Sequence, residues 1–248
     1  GFFVKAEAVI TKVQPKPVER RDNFFSVIAP TDQIAWAAGT GGKIVRSEDG
    51  GKTWVRQETP TFNNLQGIAA WDDKTAVVAG SAGMILHTTD GGASWKVANT
   101  PKSENPNKLF RVRVFGETAW AVGEFAGLFK SDDKGANWTR VVPENDLGYN
   151  SVYFVGQRGW VVGETGTILR SEDGGANWTL VETENEASLM AVTFRDEQHG
   201  VAVGLTGTLL TTADGGVTWT SVPGLTQEHF LDIIWDENRW IAVGDKGV

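Results

Sequence analysis

Residues 163–178 read GETGTILRSEDGGANW, and this stretch decides the fold because it does not occur once. It returns as GTGGKIVRSEDGGKTW from Gly39 to Trp54 and as GSAGMILHTTDGGASW from Gly80 to Trp95. It returns again as GEFAGLFKSDDKGANW from Gly123 to Trp138 and as GLTGTLLTTADGGVTW from Gly204 to Trp219. A sixth copy opens at Gly244 as GDKGV. The copies start about 40 residues apart, a spacing that marks repeated supersecondary units.

Working outward from residues 163–178, each repeat holds four short strand signals. Ser151–Val155 is a β-rich apolar run, and Gly156-Gln157-Arg158 is its turn. Gly159–Val162 follows, then a loop at 163–166, then Thr167–Ser171. A tight Asp-Gly-Gly turn leads to the fourth run, Trp178–Glu182. Runs of four to six residues bounded by Gly and Asp read as antiparallel strands. No segment keeps a helical period. Four strands per repeat predict an all-β chain, a β-propeller of four-stranded blades. Five complete blades and part of a sixth are visible. Residues 24–248 form the predicted propeller domain, and residues 1–23 an N-terminal segment.

Equivalent positions predict the packing. Val27, Ile68, Val112, Val152, Val192 and Ile233 share one site in the first strand. Trp36, Val77, Trp120, Trp160, Val201 and Ile241 share one in the second. Both sets are expected between neighbouring blades, since a blade buries its faces only against its neighbours.

The turn between the third and fourth strands follows Ser/Thr-x-Asp-x-Gly-x-x-Trp. Its instances are Ser47-Asp49-Gly51-Trp54, Thr88-Asp90-Gly92-Trp95, Ser131-Asp133-Gly135-Trp138, Ser171-Asp173-Gly175-Trp178 and Thr212-Asp214-Gly216-Trp219. The chemistry reads as structural. The Asp carboxylate is expected to accept backbone N–H groups two residues on, with the hydroxyl assisting. Gly permits positive φ, and Trp covers the hairpin while its N–H seeks a partner. A calcium loop is the rival reading, but each copy offers one or two carboxylates and no bidentate Glu at the loop end.

This turn resembles the Asp-box (BNR) motif of sialidases, sortilin-type receptors and the photosystem II stability/assembly factor family. The longer pattern, Val-Gly-x-x-Gly followed by two apolar residues, Arg-Ser-x-Asp-Gly-Gly and Trp, is similar to the last of these over residues 24–248. The resemblance implies a seven-bladed, non-enzymatic, extracytoplasmic propeller in the periplasm or thylakoid lumen. It implies a protein partner, a membrane protein or membrane-complex subunit, and a role as a protein-binding scaffold in assembly or stability. It also implies roughly 40 to 80 further residues to finish the ring. At the other end, Ala6-Glu7-Ala8 fits a signal-peptidase site, with a mature start near Val9. An ordinary strand over Phe2–Val13, then a linker at Pro15 and Pro17, is the alternative.

Composition bounds the chemistry. Lys plus Arg total 23 and Asp plus Glu 31, a net charge of −8, which argues against a general nucleic-acid binder. There is no cysteine, so no disulfide, thiolate or Cys-held metal. His87, His199 and His229 fall in three blades without zinc spacing. No phosphate loop or dinucleotide fingerprint appears, and no cofactor is expected. The alternative function is an Asp-box glycosidase, sialidase-like or glycan-binding. A sialidase needs a Tyr–Glu couple, and Tyr149 and Tyr153 sit in one strand with no Glu placed beside them. Asp72-Asp73, Asp196-Glu197 and Asp236-Glu237 lie at separate hairpin tips, too dispersed for a glycosidase pair held about 5 Å apart. No catalytic residue is assigned.

Three sets are candidate partner-binding residues. Arg46, His87, Lys130 and Arg170 precede the box hydroxyls as a cationic arc for an acidic peptide or carboxylate; an inter-blade packing role is the alternative. Glu124, Phe125 and Glu164, in the loops after the repeat Gly, would form an acidic, partly aromatic rim, with Asp245 and the Asn99–Lys108 connection nearby. Arg111 and Arg113, in the first strand of blade three, are a second basic candidate facing the central channel.

Overall fold

The computed structural model describes residues 16–103 and 107–248. The proposed export signal, the mature start near Val9, the Phe2–Val13 strand and Pro15 lie outside the described residues, as does Pro106.

The described chain is five four-stranded antiparallel sheets and one two-stranded sheet. Blade one is Phe24–Ile28, Ala35–Gly39, Ile44–Ser47 and Val55–Gln57. Blade two is Leu65–Ala70, Ala76–Gly80, Ile85–Thr88 and Lys96–Val97. Blade three runs through Leu109–Phe115, Thr118–Gly123, Gly127–Ser131 and Thr139–Arg140. Blade four is Tyr149–Val155, Arg158–Gly163, Ile168–Ser171 and Thr179–Leu180. Blade five is Leu189–Phe194, Gly200–Gly204, Leu209–Thr212 and Thr220–Ser221. Blade six contributes Phe230–Trp235 and Trp240–Gly244.

Strands pair in chain order within every blade, and the first strand of each packs on the first strand of the next. The first strands of blades one, two, three and six line one cavity of about 370 Å³, so the blades turn about a common axis. This is the wheel that four strands per repeat imply.

One glycine fixes where each blade turns. Gly39, Gly80, Gly123, Gly163, Gly204 and Gly244 end the second strands in extended conformation, and a Cβ on any of them would collide with the carbonyl just before the first strand. The next residue's N–H donates to that same carbonyl: Thr40 to Asn23 at 2.9 Å, Glu164 to Gly148 at 2.9 Å, Asp245 to His229 at 2.9 Å, with matching bonds in the other three blades. A side chain there would break the only approach that lets this bond form. The short loop that follows then turns through a left-handed residue, such as Gly41 or Thr165.

The core lies in the seams. Trp36, Trp120 and Trp160 are fully or almost fully buried against the following blade. Trp160 stacks on Phe194 with centroids 3.5 Å apart, and its Nε1 donates to Gly215 O of blade five at 2.9 Å. Ile68, Val112, Val152, Val192 and Ile233 are buried from the other side of the same seams. Val27 departs from the expected inter-blade packing and is 66% exposed. Its position faces a preceding blade, and among the described residues none covers that face of blade one. Ile241, at the opposite end of the arc, is half-buried for the mirror-image reason.

Candidate functional site

The five box turns repeat one hydrogen-bond circuit. Each hydroxyl accepts the N–H of the box Gly: Ser47 from Gly51 at 2.8 Å, Thr88 from Gly92 at 2.9 Å, Ser131 from Gly135 at 3.0 Å, Ser171 from Gly175 and Thr212 from Gly216 at 2.9 Å. The same hydroxyl donates to the carboxylate of Asp49, Asp90, Asp133, Asp173 or Asp214. The Asp reaches further than expected. It accepts the N–H four residues on, at Thr53, Ser94, Asn137, Asn177 and Thr218, where two residues on was the expectation. Its second oxygen takes the side chain of that same residue at 2.6–2.7 Å. The N–H two residues beyond the Asp goes instead to the hydroxyl, which also accepts the N–H of the Asp itself at Ser47 and Thr88.

That circuit explains the acidity of these carboxyls. The side-chain and backbone donors of Thr53 hold Asp49 at about 2. Ser94 does the same for Asp90, and Asn177 for Asp173. Burial pushes Asp214 upward, but Thr218 and Thr212 outweigh it and leave it at about 2. Each carboxylate is saturated by fixed donors of its own hairpin. The Trp N–H groups complete the turns at 54, 138 and 178 by donating to Gly51, Gly135 and Gly175 carbonyls.

The three partner-binding sets occupy different places. Box turns share an end of the blades with the hairpin tips: Gly50 N donates to Gln33 O, Gly91 N to Lys74 O and Gly174 N to Gln157 O. Arg46, His87, Lys130 and Arg170 therefore sit toward that end. Glu124, Phe125 and Glu164 sit at the other, with the blade-to-blade connections, as Gly41 N on Asn64 Oδ1 shows for blade one. Strands of four to six residues separate the two ends by roughly 15–20 Å. They do not form one surface.

At the box end, the arginines span seams. Arg46 donates to Asp73 O of blade two at 3.1 Å, lies over the Trp36 ring at 5.1 Å and pairs with Glu48. Arg170 donates to Gly215 O of blade five at 2.7 Å and pairs with Glu172 at 2.7 Å. Lys130 stays within blade three, 3.1 Å from Asp132 and above Trp120. His87 lies in the seam between blades two and three, where burial and then the nearby Lys96 push its pKa down, so at neutral pH it adds no positive charge to the arc.

At the loop end, Glu124 accepts the Lys108 N–H at 2.9 Å and Glu164 accepts the Gly148 N–H at 2.8 Å. Each acid reaches back across the loop to the residue before the first strand. Phe125 adopts φ +55, and Arg140 clamps it by donating to Phe125 O and Ala126 O at 3.1 and 3.0 Å. The tip acids are also engaged: Asp72, Asp196 and Asp236 each accept two backbone N–H groups of their own turn.

The third set gathers across the axis. Arg111 Nη1 meets Asp232 Oδ1 of blade six at 2.9 Å, and Arg113 lies two residues along the same strand. Among the described residues, no three His, Cys, Asp or Glu side chains gather around one point where a metal ion would sit. No helix there is long and apolar enough to cross a membrane.

Sequence reasoning missed Arg140, Gln57 and the residue before each box Trp. The last was legible, because 53, 94, 137, 177 and 218 are all Thr, Ser or Asn.

Residues 57–148 and 177–236, more than half the chain, match the family model described as photosynthesis system II assembly factor YCF48. No curated protein matches. A solved structure of YCF48 bound to D1 peptide is 18% identical with a TM-score of 0.49, covering 91% of each chain. YCF48 from Cyanidioschyzon merolae is 16% identical with a TM-score of 0.49, covering 93% of this chain and 95% of that one. An ancestral GH74 enzyme is 16% identical with a TM-score of 0.73 over 90% of this chain and 35% of that one. At that identity the GH74 likeness speaks to the propeller fold alone.

Proposed function

The chain belongs to the family of the photosynthesis system II assembly factor YCF48, and from that membership we propose that it is a non-catalytic scaffold that holds a protein partner during assembly of a membrane complex. It works outside the cytoplasm, and the propeller over residues 24–248 is its working domain. The observation behind this reading is the family match itself. The site chemistry supports it. The carboxylates of the box turns, the hairpin tips and the loops of Glu124 and Glu164 accept backbone N–H groups and so act as structural acceptors. Rigid blades then present loops whose shape is fixed by those bonds, which limits the ordering cost of binding a partner. The loop end, with Glu124, Phe125 and Glu164, is the docking face.

The test is cross-linking of the intact protein to detergent-solubilised membranes of its native source, with cross-linked peptides mapped. Cross-links from the loop end to subunits of one membrane complex are expected. Thr165→Arg with Thr206→Arg, two exposed positions on that end, should reduce capture at least tenfold while leaving the thermal midpoint in place. Capture unchanged in that variant would remove the loop-end assignment. Turnover of any member of a glycoside panel would overturn the scaffold reading.

A further inference from the structure

The axial cavity holds an imbalance of charge that the repeats do not explain. It is lined by first strands of blades one, two, three and six. Three charged side chains line it: Arg111, Arg113 and Asp232. Arg111 and Asp232 neutralise one another at 2.9 Å. Arg113 makes no hydrogen bond or ion pair with any described residue. A surplus guanidinium thus faces the axis of a molecule whose net charge is −8.

Neighbouring blades leave room beside Arg111. Positions equivalent to Arg111 are Ser26, Gly67, Ser151, Ala191 and Asp232, four small residues and one acid, and those equivalent to Arg113 are Ile28, Ala69, Tyr153, Thr193 and Ile234, so no other blade places a cation at either level. A Cβ on Gly67 would come within 2.9 Å of Val112 N and 3.1 Å of the Arg111 Cα, so even the smallest side chain there would press on the arginine strand. Arg113 keeps part of its surface open to the cavity, yet the walls desolvate it. Burial, and then the charge of Arg111, lower its pKa. Asp232 offsets its charge only from a distance and is already paired with Arg111; a desolvated guanidinium with no ion pair of its own is costly, and an oxyanion is the partner its planar fork fits best.

We infer that the axial cavity is a binding site for a small oxyanion, a carboxylate or phosphate group, held by Arg113 with Arg111 as the second donor. Asp232 is the competitor, since it occupies Arg111. The cavity, about 370 Å³, admits a small free anion beside these side chains. This inference does not depend on the scaffold reading, because its residues lie on the axis and the docking face lies on the loops.

The experiment titrates the intact protein with inorganic phosphate and, separately, malonate, at ionic strength held constant with chloride. Thermal midpoint and isothermal calorimetry are the readouts. Saturable binding of at least one anion is expected. Arg113→Gln should weaken it at least tenfold, and Asp232→Asn, which frees Arg111, should tighten it about three- to tenfold. Phosphate alone binding would identify a tetrahedral group as the ligand, and malonate alone a carboxylate. If Arg113→Gln does not fold, Asp232→Asn still decides: affinity unchanged or weaker in that variant overturns the inference. So does the absence of saturable binding by either anion, or affinity in a folded Arg113→Gln equal to that of the parent.

Discussion

At the residue scale, the box is a closed circuit of donors and acceptors, and its weakest point is the buried hydroxyl. Thr88 accepts the buried Gly92 N–H and donates to Asp90, and it is 2% exposed. Thr88→Val keeps the shape and removes these bonds and the one from the Asp90 N–H, leaving the desolvated Gly92 N–H without a partner. It is expected to cost about 1–3 kcal/mol, read as a lower urea midpoint at unchanged slope. A loss under about 0.5 kcal/mol would mean the hydroxyl is dispensable. Much of this circuit was legible in the sequence. Ser/Thr, Asp, Gly and Trp recur at fixed offsets, and each residue type has one job in a tight turn. The reach of the carboxylate is not legible there, because the intervening Gly-Gly curls back and brings a more distant N–H to the Asp. Gly50 and Gly51, at φ +71 and +85, bring residue 53 to the Asp49 carboxylate.

Between elements, a seam with a second-strand Trp must answer a polar question inside an apolar contact: where the indole N–H goes. Blades four and five answer it with backbone, Trp160 Nε1 to Gly215 O. Blades one and two answer it with Gln57, at the end of the outer strand of blade one. Its Oε1 accepts Trp36 Nε1 at 3.1 Å and Trp95 Nε1 at 3.0 Å, and its Nε2 donates to Gly91 O at 2.7 Å. One amide thus ties two tryptophans and the next blade's box turn together. Gln57→Leu should cost about 2 kcal/mol or more, since two indole N–H groups lose their acceptor and Leu returns only apolar contact. Gln57→Glu retains the acceptors and loses the donor to Gly91, so it should recover part of the difference at neutral pH. Denaturation of the two variants checks this, and equal stability of Gln57→Leu and the parent would deny Gln57 its bridging role. Periodicity could not reveal this residue, since it has no counterpart of the same type in the other repeats. Strand existence and the seam tryptophans follow from the repeat; the polar stitch between particular blades does not.

For the whole molecule, the repeat predicts registers within a blade but not which first strands meet across the axis. Arg111 and Asp232, 121 residues apart, become partners only when the blades curve round. What the repeat does multiply is pH dependence. Asp49, Asp90, Asp173 and Asp214 are held at about 2 against an ordinary 3.8, and donors from Asn137 outweigh burial to lower Asp133 as well. In the unfolded chain these carboxyls protonate first, at the higher value. The folded form therefore gains stability from them above about pH 4. That contribution fades as pH falls from about 4 toward 2, where the folded carboxyls also protonate and the turn bonds to the anion weaken. Asp90, Asp133 and Asp173 are exposed and Asp49 and Asp214 partly so, which leaves each contribution screened and small singly. They act together because the same circuit recurs in successive blades that are packed on one another. Urea midpoints should stay nearly level from pH 7 to pH 5 and drop steeply between pH 4 and pH 2.5. Asp90→Asn should flatten that drop while lowering the plateau, because the amide cannot titrate and accepts through one oxygen only. A midpoint that holds level down to pH 2.5 would mean that the box carboxylates are as acidic in the unfolded chain as in the wheel.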